Sequence, residues 1–145
     1  MRNFVISTDQ NKLDLNLIHE FIADSYWAKG IPFETLKRSI KNSLCFGAYE
    51  QAGLQPGKQV GFARMVTDKA TFAYLADVFV LDDYRGQGIS RLLMDAVMSH
   101  SELQGLRRIM LATQDAHRLY EKYGFEEVPN PQSLMQKWKP GIYLK

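Results

Sequence analysis

An apolar run that passes through a glycine-rich turn into an amphipathic helix constrains the fold of this chain more than any other segment. The run ends at residues 78–80, the turn contains Gly86 and Gly88, and a helical pattern of apolar residues begins at Ile89. At a helix start, backbone N–H groups lack intrahelical acceptors and the helix dipole adds positive potential. Glycine lets a bulky ligand approach the backbone. The segment therefore predicts a strand, a turn and a helix start that together bind a phosphate group.

Other phosphate-binding motifs do not fit this turn. The chain has no Gly-x-x-x-x-Gly-Lys-Ser/Thr pattern, and the turn lacks the third glycine of a dinucleotide-binding motif. Nucleotide hydrolysis is therefore disfavoured. Taken alone, the turn is equally compatible with a plain connection between a strand and a helix.

The hydrophobic periodicity elsewhere alternates between strand and helix spacing. It predicts strands over 4–6, 43–49, 60–66, 71–81, 108–111 and 125–128, and helices over 13–28, 32–42, from residue 89 onward and over 115–123. Asp115 is predicted to cap the last helix and Gly124 to end it. The tail predicts one closing edge strand at 142–144. With 145 residues and no repeat or linker, we expect a single domain spanning 1–145.

Composition and charge exclude several classes of protein. Hydrophobic residues make up 46% of the chain, and no apolar run is as long as a membrane span. The formal net charge is +2 with no basic stripe, so no nucleic-acid partner is expected. The first residues lack the pattern of a signal peptide, so a cytoplasmic location away from membranes is expected. Cys45, the single cysteine, is predicted to be a core residue, and three scattered histidines predict no metal site.

Two motifs in the C-terminal half resemble those of one enzyme superfamily. The segment Arg85-Gly86-Gln87-Gly88-Ile89-Ser90 resembles the acyl-CoA signature of the GCN5-related N-acetyltransferases (GNAT), usually written Arg/Gln-x-x-Gly-x-Gly/Ala. The segment 119–125, which carries Tyr120 and closes at Gly-Phe, resembles the second recurring motif of that superfamily. The resemblance covers 71–125, and the element order of the N-terminal half agrees with it. Ser90 departs from the pattern, because glycine or alanine is usual there.

The resemblance implies an α/β fold of the GNAT acyltransferase type, with a mixed, mostly antiparallel sheet that is flanked by helices and splayed between its fourth and fifth strands. It implies acetyl-CoA as co-substrate, with the pyrophosphate on the backbone N–H groups of 87–91 and the pantetheine arm along 78–80. Arg85 and Arg91 would add positive charge beside the phosphates. The expected cofactor-binding residues are Val78, Phe79, Val80, Arg85, Gly86, Gln87, Gly88, Ile89, Ser90 and Arg91.

The resemblance also implies direct transfer of the acetyl group to a primary amine, which needs a base for the ammonium and an acid for the departing thiolate. It places the phenol of Tyr120 near the thioester sulfur as general acid, with a plain core aromatic as the alternative. Asp77 lies on the strand before the turn, where a carboxylate within an apolar run is costly unless it is solvated or paired. Asp77 is the candidate base, and water or a proton path on the substrate is its rival.

The acceptor side of the site is the part that the sequence defines least. Tyr26 and Trp27 flank the first helical break, where the superfamily commonly forms its acceptor pocket, although core packing is the simpler explanation of either aromatic residue. The amine acceptor, a small molecule or a peptide, stays unidentified. Because members of the family often dimerise, a homodimer is compatible with the sequence, with 138–145 as an edge strand at the contact.

Other interpretations of the same residues stay open. The turn binds the CoA portion and not the acyl chain, so transfer of a longer acyl group from another acyl-CoA is compatible with it. A CoA-binding regulatory module without turnover would carry the same signature. An interaction domain that binds no CoA is a third alternative.

Overall fold

A computed structural model of the chain describes residues 3–53 and 55–144. Its strands are β1 (Phe4–Ser7), β2 (Leu44–Ala52), β3 (Gln55–Thr67), β4 (Phe72–Val80) and β5 (Arg108–Leu111). Its helices are α1 (Leu15–Ala23), α2 (Phe33–Lys41), α3 (Ile89–Ser99) and α4 (His117–Glu121). From β1 to α4, the alternation of helices and strands therefore follows the order that the hydrophobic periodicity predicts.

The five strands form one sheet in the order β1-β2-β3-β4-β5. Neighbouring strands are antiparallel except β4 and β5, which run parallel. Pairing of β4 with β5 begins at Phe72 with Arg108 and ends at Leu75 with Leu111, although β4 continues to Val80. The sheet opens beyond Leu75, which confirms the prediction of a mixed sheet splayed between its fourth and fifth strands.

A bulge lies in β4 at the point where the sheet opens. The register of β3 against β4 shifts between Phe62 and Arg64, so that Asp77 and Val78 lie opposite a single residue of β3. Asp77 has a φ of +56°, in the left-handed region that most side chains avoid. A bulge bends its strand and re-aims a side chain. It therefore accounts both for the divergence of β4 from β5 and for the inward position of the Asp77 carboxylate, whose side chain is 7% exposed.

Apolar side chains cover both faces of the sheet. On one face, α3 contributes the fully buried Leu93 to the core. On the other face, α1 and α2 contribute Ile22 and Leu36. Phe21 of α1 stacks on Phe79 of β4, with 4.1 Å between the ring centroids. This stack holds α1 against the open end of β4.

Two predicted strands are wrong. Residues 125–128 form no strand, because Gly124 turns the chain at a φ of +90° and the N–H of Phe125 bonds back to the carbonyl of Tyr120. Residues 142–144 are not an edge strand either, because the N–H of Leu144 bonds to the carbonyl of Gly141 in a local turn. Lys145, the end of the segment 138–145, lies outside the described residues.

The ends of two predicted helices also differ from the structure. The first helix ends at Ala23 and not near 28, because the chain turns back there and the N–H of Gly30 bonds to the carbonyl of Ala23. Asp115 does not cap α4; instead the hydroxyl of Thr113 accepts a hydrogen bond from the N–H of Ala116 at 3.0 Å. Among the described residues, no helix is long and apolar enough to cross a membrane.

Candidate active site

A cleft of about 1600 Å³ opens where β4 and β5 part. One wall is the free end of β4, and the opposite wall is the segment after β5 together with α4. The start of α3 and the loop after α1 also line the cleft. The splay of the sheet therefore brings segments that are distant in sequence to one cavity.

The turn before α3 forms a cradle of free backbone donors. Within the described ranges, the backbone N–H groups from Gly86 to Arg91 form no hydrogen bond, and no side chain caps α3. Gly86 and Gly88 have φ values of +78° and +82°, and a Cβ added at either glycine would meet no atom within 4 Å. The backbone conformation, and not crowding by neighbours, therefore requires glycine here. Consecutive free N–H groups at a helix start suit an anion such as pyrophosphate.

Positive side chains border this cradle, but they are not equivalent. Arg91 lines the cleft, as predicted for a phosphate contact. Arg85 also lines it, yet its guanidinium pairs with Asp82 at 3.0 Å on the surface. Lys58 of β3 was missed by the sequence analysis; its ammonium lies 5.8 Å from the centroid of the Tyr84 ring and beside the same cleft. No motif marks Lys58, because only the fold brings β3 next to the turn.

Tyr120 presents an unpartnered hydroxyl to the cleft. The residue is 8% exposed, and within the described ranges its hydroxyl forms no hydrogen bond. Its ring meets Phe125 edge to face, with 6.0 Å between the centroids. Burial raises the pKa of Tyr120 above its ordinary value, and the phenol of Tyr26 and the carboxylate of Asp115 raise it further. The phenol is therefore protonated at neutral pH and available as a hydrogen-bond donor.

Asp77 is a buried carboxylate with two donors. Its Oδ2 accepts a hydrogen bond from Nε of Arg64 at 2.9 Å, and its Oδ1 accepts one from the indole Nε1 of Trp27 at 2.8 Å. Arg64 is itself held by a bond from Nη1 to the Ser43 hydroxyl at 3.1 Å, and its side chain is 17% exposed. Pairing is the condition under which a buried carboxylate is tolerated. The sequence did show an arginine inside the predicted strand 60–66. It could not show that this arginine lies opposite Asp77, because the register of β3 against β4 could not be predicted.

The loop after α1 borders the cleft with two aromatic rings. Tyr26 and Trp27 are 60% and 43% exposed, and their rings meet edge to face with 5.1 Å between the centroids. Ser25 orders this loop, because its hydroxyl donates to the carbonyl of Ile22 at 2.6 Å and accepts from the N–H of Ala28 at 3.1 Å. Both aromatic residues therefore lie on a fixed rim of the cleft and not in the core.

The structure brings the predicted site residues to one cleft with few exceptions. Asp77, Tyr120, Tyr26, Trp27, residues 78–80 and most of 85–91 line it. Gln87 does not line the cleft, although its backbone N–H belongs to the cradle. Tyr143, from the C-terminal segment, was not predicted as a site residue and also lines the cleft. Cys45 is 1% exposed, which confirms that it is a core residue.

Comparison with known proteins identifies the family. A family model described as "Acetyltransferase (GNAT) domain" matches residues 41–127. The chain belongs to the GNAT acetyltransferase family. A relative from Gibberella zeae, named as a candidate acetyltransferase, is 31% identical over 138 residues, which covers 83% of this chain and 77% of that protein. These matches confirm the resemblance that the two sequence motifs indicated. The GNAT family uses acetyl-CoA as co-substrate.

Solved structures give the same GNAT fold. A protein of Xanthomonas campestris pv. campestris assigned to the GNAT family is 52% identical, with a TM-score of 0.93 over 100% of this chain and 99% of that chain. The ribosomal-protein-S18-alanine N-acetyltransferase of Escherichia coli is 24% identical, with a TM-score of 0.66 over 87% of this chain and 79% of that chain. At that identity the second likeness shows the fold alone. In the part of the chain that the structure describes, no three His, Cys, Asp or Glu side chains converge as metal ligands would.

Proposed function

We propose that this protein transfers the acetyl group of acetyl-CoA to a primary amine in the cleft between β4 and β5. One observation carries the proposal: the free N–H groups of 86–91 and the unpartnered hydroxyl of Tyr120 border the same cleft. The first feature suits a pyrophosphate, and the second suits a leaving thiolate that needs a proton. A glycine turn that only joined a strand to a helix would not explain why an unpartnered tyrosine hydroxyl lies in the same cleft.

The residues of this chain fit the CoA portion in two respects. The N–H groups of the cradle would receive the pyrophosphate, with Arg91 and Lys58 adding charge beside it. Beyond Leu75, β4 has no pairing partner on its β5 side among the described residues, so that edge offers backbone donors and acceptors to the amide groups of the pantetheine arm. A ligand held in this way would lie along 78–80.

Transfer requires that the amine attack as the neutral base, because an ammonium has no lone pair. A C–N bond forms as the thioester C–S bond breaks, and the departing thiolate takes a proton. We assign that proton to Tyr120, whose raised pKa keeps the phenol protonated. Asp77 already accepts hydrogen bonds from Arg64 and Trp27, so its remaining lone pairs are left to receive the amine proton, directly or through water.

One observation favours a second candidate function. Because both carboxylate oxygens of Asp77 are engaged, the site would also suit a module that binds CoA without turning it over. Transfer of a longer acyl group is a variant of the main proposal, since the cradle contacts the CoA portion and not the acyl chain.

A thermal shift assay paired with a thiol-release assay tests the proposal. Acetyl-CoA is expected to raise Tm, and at least one amine of a broad panel is expected to release thiol and give an acetylated product by mass spectrometry. Stabilisation by acetyl-CoA without turnover on any amine would favour the CoA-binding module. Absence of any stabilisation would overturn the proposal as a whole.

A further inference from the structure

The two ends of the cleft carry opposite charges. Near the cradle, the cleft is lined by Arg91, by Lys58 over the Tyr84 ring, and by Arg85 and Asp82, which pair with each other. We call the part of the cleft around the hydrogen-bonded Trp27 and Asp77 the acceptor end. The cleft is also lined by the carboxylates of Glu20, Asp24 and Asp115, by the guanidinium of Arg64, and by the rings of Tyr26 and Tyr143. The cradle end suits the phosphates of the co-substrate, and the acceptor end therefore suits a ligand of the opposite charge.

Two of the four carboxylates are neutralised by neighbours. Asp77 pairs with Arg64, and Asp24 pairs with Lys29 at 2.9 Å. Within the described ranges, Glu20 and Asp115 form no ion pair. Two of the carboxylates that line the cleft therefore keep an uncompensated negative charge.

The aromatic rings at this end are held in place for a ligand. The hydrogen bond to Asp77 fixes the edge of Trp27, while 43% of the residue stays exposed. Aromatic faces attract cations, most strongly when the ring is Trp or Tyr. Beside them lies the unpartnered hydroxyl of Tyr120, a residue that is 8% exposed, with Tyr26 and Asp115 close enough to raise its pKa. Negatively charged carboxylates and aromatic faces thus line the same cleft.

The reacting nitrogen does not explain these features by itself. That nitrogen must be neutral when it attacks, so carboxylates that only stabilised its ammonium form would oppose the reaction. A second positive charge on the acceptor stays charged throughout the transfer, and it gains from the carboxylates and rings in every step.

On this basis, which rests on the proposed acetyl transfer, we propose that the acceptor is a small diamine or polyamine. One neutral nitrogen attacks the thioester carbonyl, so that a C–N bond forms and the C–S bond breaks. The nitrogen loses one proton to Asp77, directly or through water, and the departing thiolate takes one proton from Tyr120. The other nitrogen stays a cation, between the rings of Tyr26 and Trp27 and the carboxylates of Glu20 and Asp115.

A matched series of acceptors tests this inference on the intact protein. Pentylamine, cadaverine and aminocaproate share one aminopentyl group, whose far carbon carries a hydrogen, an ammonium and a carboxylate, respectively. With acetyl-CoA saturating, kcat/KM for cadaverine is expected to exceed that for pentylamine about tenfold, from two favourable charge contacts of about 0.7 kcal/mol each. Aminocaproate is expected to be the poorest acceptor. Added salt should reduce the preference for cadaverine, because exposed charges are screened.

Two exposed substitutions locate the effect. Glu20→Gln and Asp115→Asn are each expected to lower the ratio of cadaverine to pentylamine about threefold, by removing one charge contact. Glu126→Gln, an exposed residue that does not line the cleft, should leave the ratio as it is. Equal rates for the three amines, a preference for aminocaproate, or ratios unmoved by both variants would overturn the inference. So would an absence of thiol release from all three amines when acetyl-CoA still raises Tm, whereas absence of that stabilisation overturns the proposed function itself.

Discussion

The indole Nε1 of Trp27 donates a hydrogen bond to Oδ1 of Asp77 over 2.8 Å, and this bond joins the loop after α1 to the bulge of β4. The same carboxylate accepts a bond from Arg64 of β3. One buried acid thus connects the rim of the acceptor end, the strained point of the sheet and the strand beneath it. A ligand that moves the rim therefore acts on the position of Asp77 as well.

Trp27→Phe keeps an aromatic ring on the rim and removes its hydrogen bond to Asp77. The loss of one bond to a carboxylate is expected to cost about 1–2 kcal/mol. If the rim binds the acceptor as proposed, KM for the amine should rise several-fold while KM for acetyl-CoA stays within about twofold. Initial-rate kinetics with each substrate varied in turn measure both constants.

The matched control for this variant is Trp138→Phe. Trp138 is 69% exposed and lies on the C-terminal segment outside the cleft. It should change neither constant. Equal effects of the two substitutions, or a rise confined to KM for acetyl-CoA, would contradict a role of Trp27 at the acceptor end.

Removing the partner of Asp77 is expected to destabilise the protein strongly. Arg64→Met leaves a carboxylate that is 7% exposed without its counter-ion, which costs about 3–5 kcal/mol. Adding Asp77→Asn should recover part of that loss, because asparagine removes the charge and also tolerates the left-handed backbone at this position. Urea denaturation of both single variants and of the double variant gives the coupling free energy.

The exposed pair of Arg85 and Asp82 is the comparison. These side chains are 66% and 81% exposed, so Asp82→Asn should change the free energy of unfolding by less than about 1 kcal/mol. If Arg64→Met and Asp82→Asn cost the same, burial does not govern the strength of the Arg64 pair.

Local sequence patterns predicted the strands and the helix that carry the cradle. They could not predict contacts between residues that are distant in sequence. The predicted strand 108–111 coincides with β5, and the predicted helix starts at Ile89 as observed, because the periodicity and the glycine turn are local signals. The bond between Trp27 and Asp77 joins residues 50 positions apart, and it depends on a bulge whose register no local pattern encodes.

The wrong predictions have a similar cause. Residues 125–128 have a strand-like composition but no partner strand, because Gly124 turns the chain back toward α4. Lys58 was missed because it lies on β3 without a motif around it, and only the fold places it beside the cleft. Pairing between distant strands decides both cases.

Gly88→Ala tests the cradle. Alanine at a φ of +82° is strained by about 1–2 kcal/mol, even though a Cβ there meets no atom within 4 Å. Relief of that strain would rotate the N–H groups at the start of α3, so KM for acetyl-CoA is expected to rise about tenfold or more. Gly105→Ala is the control, since Gly105 has a φ of +76°, equally open space and a position away from the cleft. A loss of stability is expected from both variants and a loss of acetyl-CoA affinity from Gly88→Ala alone; equal KM values for acetyl-CoA would contradict the cradle.

Tyr120→Phe tests the proposed acid. Removal of the phenol is expected to lower kcat about a hundredfold, the usual scale of general acid catalysis, with little change in the stabilisation by acetyl-CoA. Because burial raises the pKa of Tyr120, the wild-type rate should fall only above the ordinary tyrosine pKa of about 10, and this alkaline limb should disappear in the variant. Tyr49→Phe is the control, because the hydroxyl of Tyr49 also has no partner among the described residues, and Tyr49 lies outside the cleft. If both variants retain full turnover, Tyr120 is not the acid.

Because of Cys45, we expect the free energy of unfolding to depend on pH in the alkaline range. Burial, opposed by nearby Arg64 and assisted by Asp77, raises the pKa of its thiol from 9.0 to about 12. Below pH 9 the thiol is protonated in the folded and the unfolded chain, so it contributes no pH dependence. As the pH rises from 9 toward 12, the unfolded chain releases the proton first, and the folded state loses stability. At pH 11 this loss amounts to about 2–3 kcal/mol.

Cys45→Ala isolates the contribution of the thiol from those of the tyrosines. At neutral pH the variant is expected to be less stable than the wild type by about 1 kcal/mol, because it loses a buried sulfur atom. That difference should shrink as the pH rises above 9 and reverse near pH 10, since the variant has no thiol to ionise when it unfolds. Urea denaturation under reducing conditions at a series of pH values measures the difference directly. A difference that is constant from neutral pH to pH 11 would mean that the folded chain does not hold the Cys45 proton more tightly than the unfolded chain does.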